Sequence, residues 1–458
     1  MATLPTPPSK SVVRFLDREH TIAPPNYNRW LVPPAALAIH LAIGQAYAFS
    51  VYNQPLNRLV GLTTSIEGED WTLPEIGWVF SIAIVALGLS AALFGKWLER
   101  AGPRKAMFAA ASCFGGGFLV SALGVMYHQI WLLYLGYGVL GGIGLGLGYI
   151  SPVSTLIKWF PDRPGMATGL AIMGFGGGAM VGSPLAVFLM GYFRTETSLG
   201  VAEAFVAMGL IYFAFMLFGA LIVRLPPPGW RPAGFQGRAG VAAVRDVNAD
   251  DAIKTPQFWL LWAVLFLNVT AGIGVLGQAS LMIQEMFPGQ VLAGAAAGFV
   301  GVLSLFNMVG RFVWSSTSDA IGRKNTYAIF FLLGAALYAL IPHTGRIGGV
   351  TLFVLGFGVL MSMYGGGFAT IPAYLRDVFG TGQVGAIHGR LLTAWSIAGI
   401  AGPSLVNYIR EYEINHGVLK ADAYTTAMYI MAGLLLVGFV CNALIRPLPA
   451  LEARAETR

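Results

Sequence analysis

A single arginine stands inside the apolar and aromatic run Leu305 to Trp314, LFNMVGRFVW. Arg311 lies eight residues before Asp319, about 12 Å along a helix, while half of a bilayer core measures about 15 Å. In a membrane-spanning helix that is too deep for comfortable snorkelling, and an ionisable group there costs about 2.5–3.5 kcal/mol or more on insertion scales. Something must offset the charge. A structural salt bridge is one answer, but the acids nearest to any apolar stretch, Glu75, Glu203 and Glu285, all fall near stretch ends. An anion supplied from outside is the other. A carboxylate is its natural form, because the planar guanidinium fork takes two oxygens at once.

Positioning such a charge takes a membrane scaffold, and the composition supplies one. The chain of 458 residues is 56% hydrophobic and 11% charged, with 60 glycines, a profile of a polytopic membrane protein rather than of a soluble enzyme. Twelve apolar stretches approach the roughly 20 residues that a helical span needs: 30–54, 75–97, 105–126, 129–152, 166–190, 203–224, 256–283, 292–315, 325–342, 349–373, 385–408 and 424–446. The expected fold is all-α, twelve transmembrane helices in two six-helix bundles. Its parts are a flexible tail over 1–28, a bundle over 29–224, a linker over 225–254, a bundle over 255–446 and a tail over 447–458. The first tail holds five prolines and no apolar core, which excludes a signal peptide. Cys113 and Cys441 both fall in spans, which excludes a disulfide framework or a cysteine zinc site.

Of the 28 Lys and Arg, 22 lie in the tails, alternate loops and linker, and five (Arg58, Arg194, Arg346, Arg410, Lys420) lie on the other side. Both termini are therefore assigned to the cytoplasm. The net charge of +7 reports orientation, not a nucleic-acid partner. The lipid bilayer and a small carboxylate are the expected partners, with no metal or cofactor, in a monomer of a bacterial inner membrane. GYGVLGG, Gly136 to Gly142, has phosphate-loop spacing, but no strand precedes it. Small residues recurring every fourth position, Gly138, Gly142, Gly146 and Gly174, Gly178, Gly182, instead mark close helix packing.

The two halves repeat. Glu99 and Asp319, Gly165 and Gly385, Gly169 and Gly389, and Pro152 and Pro372 are each 220 residues apart. Glu99-Arg100-x-Gly102-Pro103-Arg104-Lys105 resembles the loop signature of the major facilitator superfamily, and Asp319-x-x-Gly322-Arg323-Lys324 resembles its second copy. In physical terms the carboxylate can sit against a neighbouring helix N-terminus, with the bases in the headgroup region. Glu99, Arg100, Gly102, Arg104, Asp319, Gly322 and Arg323 are thus the expected gating-loop residues. The resemblance implies a two-bundle transporter working by alternating access around a midplane site.

Within that superfamily, IGQAYAFSVYNQPL, GIGLGLGYISP, KWFPDRPGMATGLA and the Arg311 context are similar to the oxalate/formate antiporter family, relatives of the monocarboxylate transporters. The resemblance implies that Arg311 binds a substrate carboxylate inside an aromatic cage, lined by Tyr47, Gln45, Tyr149 and Tyr364. Helix packing is the competing role for each of these four. Two positions depart from the relatives. Where the oxalate-binding member carries a lysine in span 11, LLTAWSIAGIAGP offers Trp395, and no lysine occurs between Lys324 and Lys420. A dianion would face one positive charge, so formate, lactate or pyruvate suits the site at least as well as oxalate. Where animal proton-coupled carriers place an aspartate one turn before the arginine, this chain has Asn307, which carries no proton at physiological pH. Anion exchange is the first reading; proton-coupled monocarboxylate symport, using His40 or the substrate itself, is the alternative. A non-transporting sensor on the same fold is the alternative of another class. An enzyme is not expected, since neither HExxH nor a Ser/His pairing at helical spacing occurs.

Overall fold

The computed structural model describes residues 15–235, 246–276, 278–347 and 349–448. Most of the second tail, half of the first and the middle of the linker lie outside the described residues. The regular structure is all helical, with no strand among the described residues. In chain order the long helices are α1 (Arg29–Leu56), α2 (Leu73–Ala101), α3 (Pro103–Met126), α4 (Ile130–Trp159), α5 (Pro164–Phe193) and α6 (Val201–Ile222). The second half holds α7 (Pro256–Leu276), α8 (Ala293–Ile321), α9 (Arg323–Arg346), α10 (Val350–Phe379), α11 in two pieces (Val384–Leu391 and Thr393–Asn415) and α12 (Thr425–Leu444). Eleven of these helices are long and apolar enough to cross a membrane. The exception, α11, breaks at Leu392 and carries Arg390, Arg410, Glu411 and Glu413.

Local chemistry sets the ends. Thr72 and Glu75 close a reciprocal capping box at the start of α2, so Glu75 is a helix cap and not a partner for a buried cation. Gly102 and Gly322 end α2 and α8 at φ of +88° and +87°, a region that strains any side chain. The two copies of the loop signature thus make the same turn. Many helices outrun the expected spans: α10 continues to Phe379 through Arg376 and Asp377, because a helix propagates past the bilayer edge where polar side chains are solvated.

The small-residue faces do pack closely. A methyl group added at Gly142 would lie 2.7 Å from the Ala83 carbonyl on α2, and one at Gly178 would lie 2.5 Å from Gly44 on α1. GYGVLGG is a π-helical stretch within α4, not a loop. Leu93 and Phe188 keep 76% and 65% of their surface exposed on outward faces, as lipid-facing residues do. Each half packs as a bundle, and the halves meet where α5 lies along α8 and α10 and where α11 lies along α2 and α4.

Two expectations need correction. The described part of the first tail is docked, not loose: Ala23 N–H donates to Leu225 O and Leu225 N–H to Thr21 O. Nor do the signature's bases all stay among headgroups. Arg104 and Arg323 are buried, Arg104 donating to the carbonyls of Phe15 and Leu221 and Arg323 to Asp319, Asp377 and Ser318. A guanidinium that finds several acceptors inside the protein gains more there than at the lipid surface.

Candidate substrate site

Arg311 is completely buried in α8. Its Nε donates to Asn307 Oδ1, one turn earlier, at 3.0 Å, and Nη1 reaches the Ile172 carbonyl of α5, in the other bundle, at 3.5 Å. Nη2 has no hydrogen-bonding partner. The guanidinium carbon lies 5.5 Å from the centre of the Phe175 ring and 5.3 Å from that of Phe368, one ring from each bundle. Glycine allows this approach: a Cβ at Gly176 would lie 3.0 Å from Arg311 Nε, and one at Gly365 would lie 2.3 Å from the Asn307 carbonyl. No described carboxylate pairs with Arg311. Glu285 instead holds Arg410 and Tyr424 at the opposite end of α11, and Glu203 is exposed.

An aromatic shell continues from the guanidinium. The Trp395 ring centre lies 4.6 Å from Phe368, 5.4 Å from Phe175, 5.4 Å from Tyr149 and 6.3 Å from Tyr47. The Tyr47 and Tyr364 hydroxyls meet at 3.2 Å across the two bundles. Tyr149 and Trp395 are both fully buried, yet Tyr149 OH and Trp395 Nε1 have no hydrogen-bonding partner. Three donor groups without a well-formed hydrogen bond, from α4, α8 and α11, therefore belong to one cluster, with the Tyr47 and Tyr149 hydroxyls turned toward the guanidinium. Buried donors are rarely left this way. An ionised carboxylate, which only accepts, is the chemical complement of such a donor set.

Of the residues expected at the site, Arg311, Asn307, Tyr47, Tyr149, Tyr364 and Trp395 come together. Gln45 does not. It accepts from Tyr137 OH at 3.1 Å and donates to Tyr52 OH at 3.5 Å, inside the first bundle. Sequence reasoning missed Phe175 and Phe368, although each flanks a glycine triplet, in GFGGG and GGGFA. Those glycines are what lets a ring and a guanidinium share the space between two helices.

The loop signatures form a paired closure on the face that carries the basic loops. Asp319 of α8 accepts from the Gly165 and Met166 backbone N–H groups at 3.0 and 2.9 Å, capping the N-terminus of α5 in the other bundle. Glu99 of α2 accepts from Gly385 N–H at 3.1 Å, at the start of α11, while also holding Ser154 at 2.9 Å and Lys158 at 2.6 Å. Each acid thus caps a helix of the opposite bundle, at the 220-residue repeat. Of the basic residues, Arg100 is exposed, and Gly322, like Gly102, shapes only the turn. The linker's Asp250 adds a bridge, bonded to Lys96 of α2 and Arg390 of α11. Those two bonds hold its pKa down to about 2.

Twelve helices in two repeated bundles, with a cation and aromatic shell between them, define a polytopic carrier architecture. The chain belongs to the Major Facilitator Superfamily, whose family model matches residues 28–403. It is 28% identical to the oxalate:formate antiporter of Oxalobacter formigenes over 386 residues, covering 82% of this chain and 84% of that one. It is 25% identical to apicoplast pyruvate carrier 1 of Toxoplasma gondii, covering 82% and 76%. Among solved structures, the superfamily transporter FucP in its outward conformation superposes with a TM-score of 0.67 at 15% identity, over 91% of this chain and 100% of that one. That likeness shows the fold.

Proposed function

We propose that this chain is a secondary carrier that exchanges small organic anions by alternating access, with Arg311 taking the substrate carboxylate. The observation that carries the reading is the buried guanidinium with no well-formed bond at Nη2 and no described acid paired with it, in one cluster with two further donors in the same state. The relatives, an oxalate:formate antiporter and a pyruvate carrier, support the class of substrate. One cation balances one carboxylate, so formate, lactate and pyruvate are substrates at least as good as oxalate. The basic face is the cytoplasmic one, and the Asp319 and Glu99 caps are the inner gate, shut in this conformation. The aromatic shell orients the anion, since ring edges are positive and ring faces repel it.

Counterflow tests this. Proteoliposomes loaded with one carboxylate and diluted into a second labelled one should accumulate label for the wild type. Arg311→Lys should insert normally but exchange poorly, because a point charge does not copy the planar fork. Normal exchange by both Arg311→Lys and Arg311→Gln would remove the anion site.

A further inference from the structure

Two histidines lie between the site and the inner gate: His388 has no role so far, and His40 has been named only as one route for a proton in the symport alternative. His40 is on α1 and His388 on α11, so they belong to opposite bundles. Both flank Tyr149, with ring centres 5.3 and 5.8 Å from it. His388 follows Gly385, the residue that Glu99 caps, by three positions and precedes Trp395 by seven, across the break at Leu392. Both side chains are essentially inaccessible, at 0% and 1% exposure. His40 Nδ1 faces the Ala36 carbonyl at 3.2 Å and the ring also lies against the Tyr149 backbone, with no well-formed bond at Nε2, while both nitrogens of His388 have no hydrogen-bonding partner.

A neutral imidazole always carries one N–H and one lone pair, so His388 leaves a donor and an acceptor unmet in either tautomer. An apolar side chain would fill the same space without that cost. The elements packed around the pair carry charged and titratable groups, among them Arg29 and Tyr47 of α1 itself, Tyr149 and Lys158 of α4, Glu99 and Lys96 of α2, Arg311 of α8, Tyr364 and Asp377 of α10, Arg390 of α11, and Asp250 and Asp251 of the linker. The packed elements α5 and α7 contribute no charge, and on α6 only the distant, exposed Glu203 is charged. Each of these acids is already engaged: Glu99 by Lys158, Asp250 by Lys96 and Arg390, Asp377 by Arg323 and Arg376, Asp251 by Lys254. A proton added to either ring inside the sealed layer would place a second cation in the Arg311 cluster with no counter-ion. Parting the bundles toward the cytoplasm hydrates both rings and removes that penalty.

We infer that His40 and His388 form a proton-binding site on the inward half of the path, filled from cytoplasmic water as the inner gate opens. The inference rests on the carrier reading and deepens it, since a proton bound here biases the carrier toward the inward-open state. By linkage, each pH unit of acidification raises the ratio of inward-open to closed forms by up to tenfold for one coupled proton.

The test uses the full chain without substrate, so that no substrate carboxylate titrates. Spin labels at Arg163→Cys and Asn325→Cys, with Cys113 and Cys441 replaced by serine, report the separation of the bundles at the gate. The wild type should shift toward the longer distance between pH 8 and pH 5.5, and His388→Gln and His40→Gln should each reduce that shift at least threefold. A wild type whose distances ignore pH overturns the inference without any variant, as does a full response in both folded variants. Counterflow separates this from the carrier reading. Absent exchange of every carboxylate would sink the carrier, whereas exchange without a pH-linked distance sinks only the histidine site.

Discussion

Replacing Asp319 with Asn should release the inner gate while leaving the substrate site intact. The native carboxylate receives two backbone N–H groups of the opposite bundle at 3.0 and 2.9 Å, and Arg323 Nη2 at 2.5 Å. Hydrogen bonds to a charged acceptor contribute about 1.5–3 kcal/mol each, and a negative charge at a helix N-terminus adds about 0.3–1 kcal/mol. Asparagine keeps one carbonyl acceptor, so it retains one of the two cross-bundle bonds and loses the charge. Arg323 keeps Asp377 at 3.2 Å and Ser318, which limits the penalty of its stranding. The Arg323 contact lies within one bundle and cancels between the two states, so the loss that depends on the gate being shut is one cross-bundle bond and the charge at the helix end, about 2 kcal/mol. That converts to about a thirtyfold shift toward the inward-open form. The spin-label pair at positions 163 and 325 reads the ratio directly, in protein whose monodispersity matches the wild type. A ratio that moves less than twofold would mean that other contacts hold the gate and that the cap is incidental.

Two further outcomes test the site. Tyr149→Phe and Tyr364→Phe should each raise the half-saturation concentration in counterflow more than they change the maximal rate, and unchanged kinetics at both would leave these tyrosines with packing roles alone. Trp395→Lys, in variants that insert and fold, should shift preference toward oxalate over formate or lactate by one to two factors of ten, for a pair interaction of about 1.5–3 kcal/mol; a wild type already strongly selective for oxalate at neutral pH would refute the charge argument.

Much of this architecture was legible because the membrane restricts what a sequence can do. Apolar length gave the helices, and the depth of Arg311 followed from its spacing to Asp319. The repeat at 220 residues paired Glu99 with Asp319, and the preference of carboxylates for helix N-termini anticipated what both touch. Facing directions were less legible. In helices that are apolar all round, nothing local separates Phe175, which meets the guanidinium, from Phe188, which meets lipid. Gln45 went astray because residues 44–52 of α1 form a 3₁₀ segment, which turns side chains to a phase that an α-helical reading does not give. The burial of Arg104 depends on the tail's Phe15 carbonyl, 89 residues away in sequence, a contact that no periodicity announces.

The gate and the site occupy one pair of helices, which suggests how an anion is felt at a distance. Along α8 the residues Arg311, Ser315 and Asp319 follow one face at four-residue steps, and along α5 their neighbours Ile172, Gly169 and Gly165 descend in the same order. Arg311 Nη1 reaches Ile172 O, Ser315 packs on Gly169, and Asp319 caps Gly165. The packing is tight: a Cβ at Gly165 would lie 2.1 Å from the Ser315 carbonyl. A carboxylate that takes both Nη atoms competes with the 3.5 Å contact to Ile172 and so loosens this seam at its upper end. The Asp250 bridge does not oppose this in a pH-dependent way. Its pKa is depressed to about 2, so its contribution is complete above the ordinary carboxylate range and is lost only as pH falls toward 2. An acid response of the gate between pH 5 and 8 therefore has to come from elsewhere, and among the described residues the histidine pair His40 and His388 proposed above lies where the two bundles meet. Added carboxylate should lengthen the distance between positions 163 and 325 in the wild type but not in Arg311→Gln. Equal lengthening in both would place the anion's effect somewhere other than this seam.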